Sequence, residues 1–138
     1  MKTIKEIEES IVEEFSLFSD WMEKYEYLIE LGKEMPLIDE KEKTEGNLIK
    51  GCQSRVWLSC EKRDGALFFR ADSDAIITKG MISLLLRVFN GQRPEDILSA
   101  ELGFIDAISL RENLSPTRAN GLVSMIDKIR NYADANRS

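Results

Sequence analysis

Residues 54–71 read SRVWLSCEKRDGALFFRA, two short apolar runs joined by a polar stretch, and this pattern decides the fold. The polar stretch contains Asp64-Gly65, a dipeptide that favours a two-residue turn between antiparallel strands. With a turn that tight, Arg63 pairs with Ala66, and the numbers of paired residues sum to 129. Alternation along the first strand places three side chains on one face, those of Val56, Leu58 and Cys60. The sequence therefore predicts a β-hairpin with one buried face.

The segment after the hairpin predicts a buried central helix. Residues 75–90 are apolar nearly all round, which is typical of a helix enclosed by the rest of a fold. Asp72-Ser73-Asp74 supplies residue types that cap helix N-termini, and Gly91 is a good residue for the helix end. Gly80, in the middle of the helix, costs about 1 kcal/mol relative to alanine. We therefore expect a close backbone contact at Gly80.

Two N-terminal helices are predicted from the spacing of apolar residues. These recur at intervals of three and four from Ile4 to Met22, which indicates an amphipathic helix. Ser19 or Asp20 can begin a second helix that ends near Gly32, and Asp20 lies three residues before Glu23, as in a capping box. The charged stretch that follows is expected to be an exposed loop or a short exposed helix.

Further segments complete the predicted fold. Pro94 opens a short helix, residues 104–110 form a turn or helix, and Ser115-Pro116 begins the last helix. The apolar stripe of that helix consists of Leu122, Met125, Ile126 and Ile129. Residues 47–50 either add a third strand or extend the first. We expect residues 1–138 to form one α+β domain, with a small antiparallel sheet of about three strands and helices packed on one face.

The composition argues against several classes of function. The chain has 138 residues and a formal net charge of −6, with acidic side chains outnumbering basic ones 25 to 19. Nucleic acid and anionic membrane surfaces are bound by clustered positive charge, so neither partner is expected. No apolar run reaches the ~20 residues of a membrane span, and the N-terminus lacks the apolar stretch of a signal peptide. We therefore expect a cytoplasmic protein.

A thiolate is the strongest candidate for covalent chemistry. The chain has no histidine, which removes the Ser-His and Cys-His nucleophile pairs and the common histidine-containing zinc sites. Its two cysteines cannot complete a Cys₄ cluster site, so no metal site is expected. Cys52 follows a glycine at the start of the first strand, where it is either a nucleophile or a small buried hydrophobe. Cys60 continues the buried face and is expected in the core.

The hairpin register constrains both cysteines. A disulfide between them is not expected, because eight strand residues span ~26 Å whereas its Cα atoms must lie within about 7 Å. Extended past the strand, the register places Cys52 opposite residue 77, near the start of the central helix. A helix N-terminus lowers a cysteine pKa, whereas the carboxylate of Asp74 would raise it. The sequence leaves the sign of the net shift open.

The residues around Cys52 are similar to a known motif. Residues 47–57, NLIKGCQSRVW, resemble the cysteine-loop signature of the SufE family of sulfur acceptors. Further motifs of that family match KYEYLIELG (24–32), ADSDAIITKG (71–80) and LSPTRANGL (114–122), and all four stand in the family's order. Separated motifs over about residues 21–132 are far more specific than the tetrapeptide GCQS alone.

The resemblance implies a reaction and its partners. In this family a pyridoxal-phosphate-dependent cysteine desulfurase of the SufS type passes persulfide sulfur to the cysteine matched by Cys52, and the sulfur moves on to an iron–sulfur scaffold protein. The fold is expected to be shared with scaffolds of the IscU type. The pyridoxal phosphate belongs to the desulfurase, so this chain is expected to bind no cofactor. It would act as a sulfur carrier and desulfurase activator more than as an enzyme in its own right.

Six residues are expected at the rim of the site or in contact with the partner: Gly51, Gln53, Ser54, Arg55, Asp74 and Arg118. The resemblance supplies Asp74 from the family's DSD segment and Arg118 from its SPxR motif. Two other functions stay open at this point. One is a thiol redox sensor or peroxidase that uses Cys52, although it lacks a nearby resolving cysteine. The other is a non-catalytic interaction domain with both cysteines in the core.

Overall fold

The computed structural model describes residues 2–137, and the ends of the predicted domain, Met1 and Ser138, lie outside the described residues. The strands are β1 (Val56–Arg63) and β2 (Ala66–Ser73). The helices are α1 (Ile4–Phe15), α2 (Trp21–Lys33), α3 (Ile76–Phe89), α4 (Pro94–Ser99), α5 (Phe104–Ala107) and α6 (Pro116–Asn136). Short 3₁₀ helices cover Glu40–Glu42, Glu45–Asn47 and Arg111–Asn113.

The strands form the predicted hairpin in the predicted register. β1 and β2 pair antiparallel from Val56 opposite Ser73 up to the turn, so the paired numbers sum to 129. Asp64 and Gly65 both have positive φ, 52° and 81°, as a tight hairpin turn requires. The inner face is buried against α3 and the rest of the core through Val56, Leu58, Leu67, Phe69 and Ala71. This arrangement confirms the α+β class with helices on one face of the sheet.

The sheet has two strands within residues 2–137, fewer than the three or so predicted. Leu48 makes one isolated bridge to Trp57, and the N–H of Ile49 donates to the carbonyl of Val56 at 2.8 Å. Upstream of Leu48 the chain turns into the 3₁₀ helix Glu45–Asn47 and leaves the edge of β1. Residues 47–50 therefore touch the sheet at one point and do not form a strand.

α2 and α3 cross at Gly32 and Gly80. This crossing confirms the close backbone contact predicted at Gly80 and corrects the helix end predicted at Gly32. A Cβ on Gly80 would overlap the carbonyl oxygen of Leu28 and lie 3.0 Å from its Cγ, so the expected close backbone contact is present. Gly32 was predicted to end its helix, but α2 continues to Lys33. Gly32 instead lies buried at the crossing, where its own Cβ would come within 3.0 Å of the Gly80 nitrogen.

The start of α3 differs from the predicted capping by the DSD segment. The N-cap residue is Ala75, which has no side chain to accept from the first turn of the helix, and the Ser73 hydroxyl accepts only the N–H of Ala75 itself, at 3.3 Å. Asp72 and Ser73 are the last residues of β2, and the Asp74 carboxylate accepts the Arg55 N–H instead. The N-cap prediction is therefore wrong, because these polar side chains hold other parts of the chain.

The remaining helices begin where the sequence predicts. Asp20 caps α2 by accepting the Glu23 N–H at 2.9 Å, and α1 ends before it at Phe15. Ser115 caps α6, with Pro116 at the first helical position. The predicted stripe of α6 is buried, at Leu122, Met125, Ile126 and Ile129. α6 packs against α4 and α3 and brings its first turns to the end of the hairpin that carries Cys52.

Candidate functional site

The loop that carries Cys52, residues 51–54, is shaped by a glycine, and we call it the cysteine loop. Gly51 has φ +95°, a backbone conformation that side chains with a Cβ rarely adopt. A Cβ at this position would also overlap Ser124 Oγ of α6 and lie 3.3 Å from Ser124 Cβ. Both the conformation and the space therefore require glycine immediately before Cys52.

Cys52 rests on the main chain of α6. Its side chain is half-buried, and its thiol donates to the carbonyl oxygen of Gly121, with Sγ and O 3.6 Å apart. A Cβ on Gly121 would lie 3.5 Å from the sulfur, in ordinary van der Waals contact. Gly121 is itself buried, so the sulfur packs onto bare helix backbone. We call this contact surface on Gly121 the seat of Cys52.

The hairpin register predicted residue 77 as the neighbour of Cys52, and the structure shows Gly121 instead. The β1–β2 ladder ends at Val56 opposite Ser73, and Cys52 lies beyond its end. The chain bends at Gln53 and Ser54, between Cys52 and β1, so an extended register cannot be carried on to residue 77. The structure places Cys52 against α6, whereas the sequence argument placed it at the start of α3.

Burial raises the pKa of the Cys52 thiol above its ordinary value. The sequence left open whether the pKa of Cys52 is raised or lowered, and in the structure it is raised. In the seated position Cys52 is a protonated thiol at neutral pH. The thiolate form of Cys52 is therefore disfavoured while the sulfur rests on Gly121.

The chain that leaves the cysteine loop is held by the end of β2. The Arg55 N–H donates to Asp74 Oδ1 at 3.0 Å, and the Asp74 N–H donates back to the Arg55 carbonyl at 3.2 Å. The Ser73 hydroxyl donates to the same carbonyl at 2.8 Å. Asp74 therefore lies beside the cysteine loop, and its carboxylate fixes the main chain there.

Arg118 lies at the same end of α6 as the seat. It is exposed, and its Nη1 donates to the Tyr25 hydroxyl of α2 at 3.1 Å. Arg118 and Gly121 are three residues apart on a helix, so they share one face. The structure thus brings the loop of Cys52, Asp74 and Arg118 to one end of the molecule.

A family model described as a Fe-S metabolism associated domain, SufE, matches residues 9–133. The chain belongs to the SufE family. Uncharacterized SufE-like proteins of Rhizobium meliloti and Rhizobium etli are 37% and 36% identical to it, each over 91% of this chain and over 94% and 88% of their own lengths. The solution structure of a hypothetical protein from Thermus thermophilus superposes with a TM-score of 0.77, covering 94% of both chains at 19% identity, which shows a shared fold.

The predicted rim residues of this SufE-family protein differ in exposure. Gly51, Gln53 and Arg55 are exposed, whereas Ser54 is half-buried. Gln53 and Arg55 direct no side-chain hydrogen bond to residues 2–137, so both side chains are available at the surface around Cys52.

The second cysteine of the SufE-family chain occupies a different setting. Cys60 lies in β1 opposite Phe69, on the face that packs against the core, and is half-buried. Burial raises the pKa of its thiol to about 11. Both cysteines are free, as predicted, and Cys60 lies at the edge of the core, less buried than a core residue.

Sequence reasoning missed the residues of α6 that form the seat. Gly121 and Ser124 surround the cysteine loop, but neither was expected there. A glycine inside a helical pattern costs about 1 kcal/mol, so its presence signals close packing. Applied to Gly121 as it was to Gly80, this argument would have indicated that another part of the chain rests on α6.

No metal site was expected, and residues 2–137 contain no cluster of three or more potential metal-ligating His, Cys, Asp or Glu side chains. Across the same part of the chain, every helix is too short or too polar to cross a membrane.

Proposed function

We propose that this SufE-family protein accepts sulfur as a persulfide on Cys52 from a pyridoxal-phosphate-dependent cysteine desulfurase. In this proposal it works in the cytoplasm and passes the sulfur to an iron–sulfur scaffold protein. Family membership supports a role in Fe–S metabolism. The observation that carries the finer proposal is the position of Cys52 on a short loop, half-buried and resting on the main chain of Gly121.

The loop allows Cys52 to move without disturbing the core. The hydrogen bonds of Ile49 with Val56 and of Arg55 with Asp74 hold the two ends of the loop. Between them, Cys52 Sγ is held by one hydrogen bond to a carbonyl oxygen. The sulfur can leave the seat while both anchors stay in place. Cys60 has no such freedom, because it is part of a paired strand.

The proposed reaction is an exchange at sulfur. The Cys52 thiolate attacks the outer sulfur of a persulfide on the desulfurase cysteine. A bond forms between Cys52 Sγ and that outer sulfur, and the sulfur–sulfur bond of the donor breaks. The donor cysteine leaves as a thiolate, and the proton lost from Cys52 ends on it or on solvent. No oxidant or reductant is consumed.

The activation of Cys52 is assigned to the complex with the desulfurase. The isolated chain has no histidine to act as a base, and burial raises the thiol pKa, which favours the protonated form. Exposed Arg55 and Arg118 provide positive charge at the same end of the molecule. Docking that releases the sulfur from the seat would both expose it and lower its pKa toward the ordinary value.

The alternative of a redox sensor or peroxidase has less support. Such cysteines react because their thiol pKa is low and the side chain is exposed. Cys52 is half-buried and its pKa is raised. The other alternative, a non-catalytic interaction domain, predicts no sulfur on either cysteine, and the sulfur-transfer experiment below tests it.

Sulfur transfer can be measured directly. The protein is incubated with its cognate desulfurase and cysteine, and the products are analysed by intact mass and peptide mapping. We expect the mass of added sulfur on the Cys52 peptide, with none in Cys52→Ser and normal uptake in Cys60→Ser. Persulfide on Cys60, or uptake by Cys52→Ser, would refute the assignment.

Asp74 and Arg118 are proposed to border the docking surface. We expect Asp74→Ala and Arg118→Ala to weaken desulfurase activation more than they lower the melting temperature. Arg93→Ala is the matched control, because Arg93 is exposed and lies with Asp64 at the hairpin-turn end of the sheet. Unchanged activation in both site variants, or an equal loss with Arg93→Ala, would remove these residues from the docking surface.

A further inference from the structure

Asp72, beside the cysteine loop, forms ion pairs with two lysines. Its carboxylate lies 2.7 Å from Lys43 Nζ and 3.3 Å from Lys79 Nζ, and it accepts the Ser73 N–H at 2.8 Å. The Asp72 side chain is 15% exposed. Burial alone would raise the pKa of Asp72, but the hydrogen bonds from Lys43, Ser73 and Lys79 lower it overall. Asp72 is therefore a carboxylate engaged on both oxygens.

Lys43 connects Asp72 to the segment that leads into the cysteine loop. We call residues 39–50 the incoming segment. The Lys43 side chain is 18% exposed, and its ammonium lies over the ring of Trp57, 5.2 Å from the ring centroid. Trp57 faces Asp72 across the sheet, and its main chain bridges to Leu48. The incoming segment is thus attached to the hairpin at three places: at Asp39, whose carboxylate lies 4.0 Å from Arg70 Nη1, at Lys43 and at Leu48.

The DSD residues hold both arms of the cysteine loop. Asp72 binds the incoming segment through Lys43. Ser73 Oγ and Asp74 Oδ1 bind the outgoing arm at the main chain of Arg55. These three residues are consecutive at the end of β2. Each of their side chains binds a residue next to the cysteine loop, either Lys43 before it or Arg55 after it. None of them caps α3.

We propose that Asp72 is a positioning residue that keeps Cys52 seated, because its ion pair with Lys43 holds the incoming segment against the hairpin. Loss of that ion pair loosens the incoming segment between Asp39 and Leu48, next to the Ile49 anchor of the loop, and the loop then leaves Gly121 more often. The proposal rests on the proposed function only in taking Cys52 as the reacting residue. Its consequence, the accessibility of the Cys52 sulfur, exists in the isolated chain.

Alkylation of the folded protein by iodoacetamide tests the proposal without a desulfurase. Cys52 and Cys60 peptides are quantified separately over time, at low ionic strength and neutral pH. We expect Asp72→Asn and Lys43→Met to raise the Cys52 alkylation rate by about three- to fivefold, with the Cys60 rate unchanged. Added salt should raise the Cys52 rate in the wild type and have little effect in Asp72→Asn, since screening weakens the same ion pair.

Two control variants separate positioning from general destabilisation. Lys41→Met removes an exposed lysine of the incoming segment that makes no ion pair within residues 2–137. Glu14→Gln breaks the ion pair between Glu14 and Arg87, which joins α1 to α3. Both should keep the wild-type Cys52 rate. An unchanged Cys52 rate in Asp72→Asn and Lys43→Met, a parallel rise at Cys60, or an equal rise in Lys41→Met would overturn the proposal.

The outcome is independent of the sulfur-transfer experiment. If Cys52 takes no sulfur from the desulfurase, the proposed function fails, but the alkylation rates still report whether Asp72 holds the loop. If sulfur transfer occurs and the alkylation rates do not respond, the positioning role of Asp72 alone is rejected.

Discussion

Gly51→Ala is expected to drive Cys52 out of its seat. An alanine here would have to adopt φ +95°, and its Cβ would overlap Ser124 Oγ of α6. A left-handed backbone conformation costs about 1–2 kcal/mol for a residue with a Cβ. The overlap adds to this strain unless the loop moves away from α6. Both contributions vanish when the loop is released, so they act directly on the balance between seated and released forms.

The size of the effect follows from the local nature of the strain. The anchors at Ile49 and Arg55 lie outside the strained position, so the loop can open without loss of the core. A change of about 1–2 kcal/mol shifts the ratio of released to seated forms by about 5- to 30-fold. Alkylation requires the released thiol, so the Cys52 rate should rise by the same factor. The melting temperature should fall by no more than a few degrees, because global unfolding is little affected.

The assay compares alkylation of Cys52 and Cys60 in the folded protein. Gly46→Ala is the matched control, because its added Cβ would meet only Thr44 Oγ1, at 3.8 Å. Adding Ser124→Ala to Gly51→Ala removes the overlap with the hydroxyl and leaves the backbone strain, so the Cys52 rate should fall part of the way back. A wild-type Cys52 rate in Gly51→Ala, or an equal acceleration at Cys60, would refute the reasoning.

Three further predictions concern stability, pH and the partner. Gly80→Ala should destabilise the protein by about 3 kcal/mol and lower the melting temperature by about 10 °C, measured by thermal denaturation. Gly103→Ala should leave the melting temperature almost unchanged, because a Cβ at Gly103 would point into open space. Burial raises both thiol pKa values, so the stability from the neutral thiols should be full below the ordinary thiol pKa and fall as the pH rises through the Cys60 value of about 11. Measured by urea titration, the fall should be smaller in Cys52→Ala/Cys60→Ala, and the part that is left belongs to Tyr27 and Tyr132, whose pKa values burial also raises. Arg118→Lys should activate the desulfurase less than wild type, because lysine lacks the planar guanidinium, and equal activation would assign Arg118 a role as simple positive charge.

The cysteine site shows where sequence reasoning reached its limit. The motif around Cys52 predicts it as the reacting residue, and the family's other motifs predict Asp74 and Arg118 beside it; the structure brings these residues to one end of the molecule. The sequence could not place the sulfur on Gly121, because that contact joins residues 69 positions apart. Extending the hairpin register past Val56 assumed a straight chain, and the bends at Gln53 and Ser54 turn it away.

The DSD segment was misread for a related reason. Asp and Ser before a helix are good N-caps, so local reasoning assigned them to α3. In the fold, Lys43 and the main chain of Arg55 lie within reach of the same side chains and bind them instead. A polar side chain forms its hydrogen bonds with the most favourable partner that the tertiary structure brings near. The local sequence shows only the partners that are close along the chain. Gly32 was misassigned in the same way, because a nearby helix decides its role.

The sequence by itself determined the hairpin register, the central helix and the starts of α2 and α6. Each depends on interactions within a few residues, such as the turn at Asp64 and Gly65 or the cap at Ser115, so local chemistry is sufficient. Tertiary structure alone decided where the thiol rests, the direction of its pKa shift and what the acidic residues hold. These properties depend on burial and on contacts between distant segments, which arise only when α6 and the incoming segment pack at the same end of the hairpin.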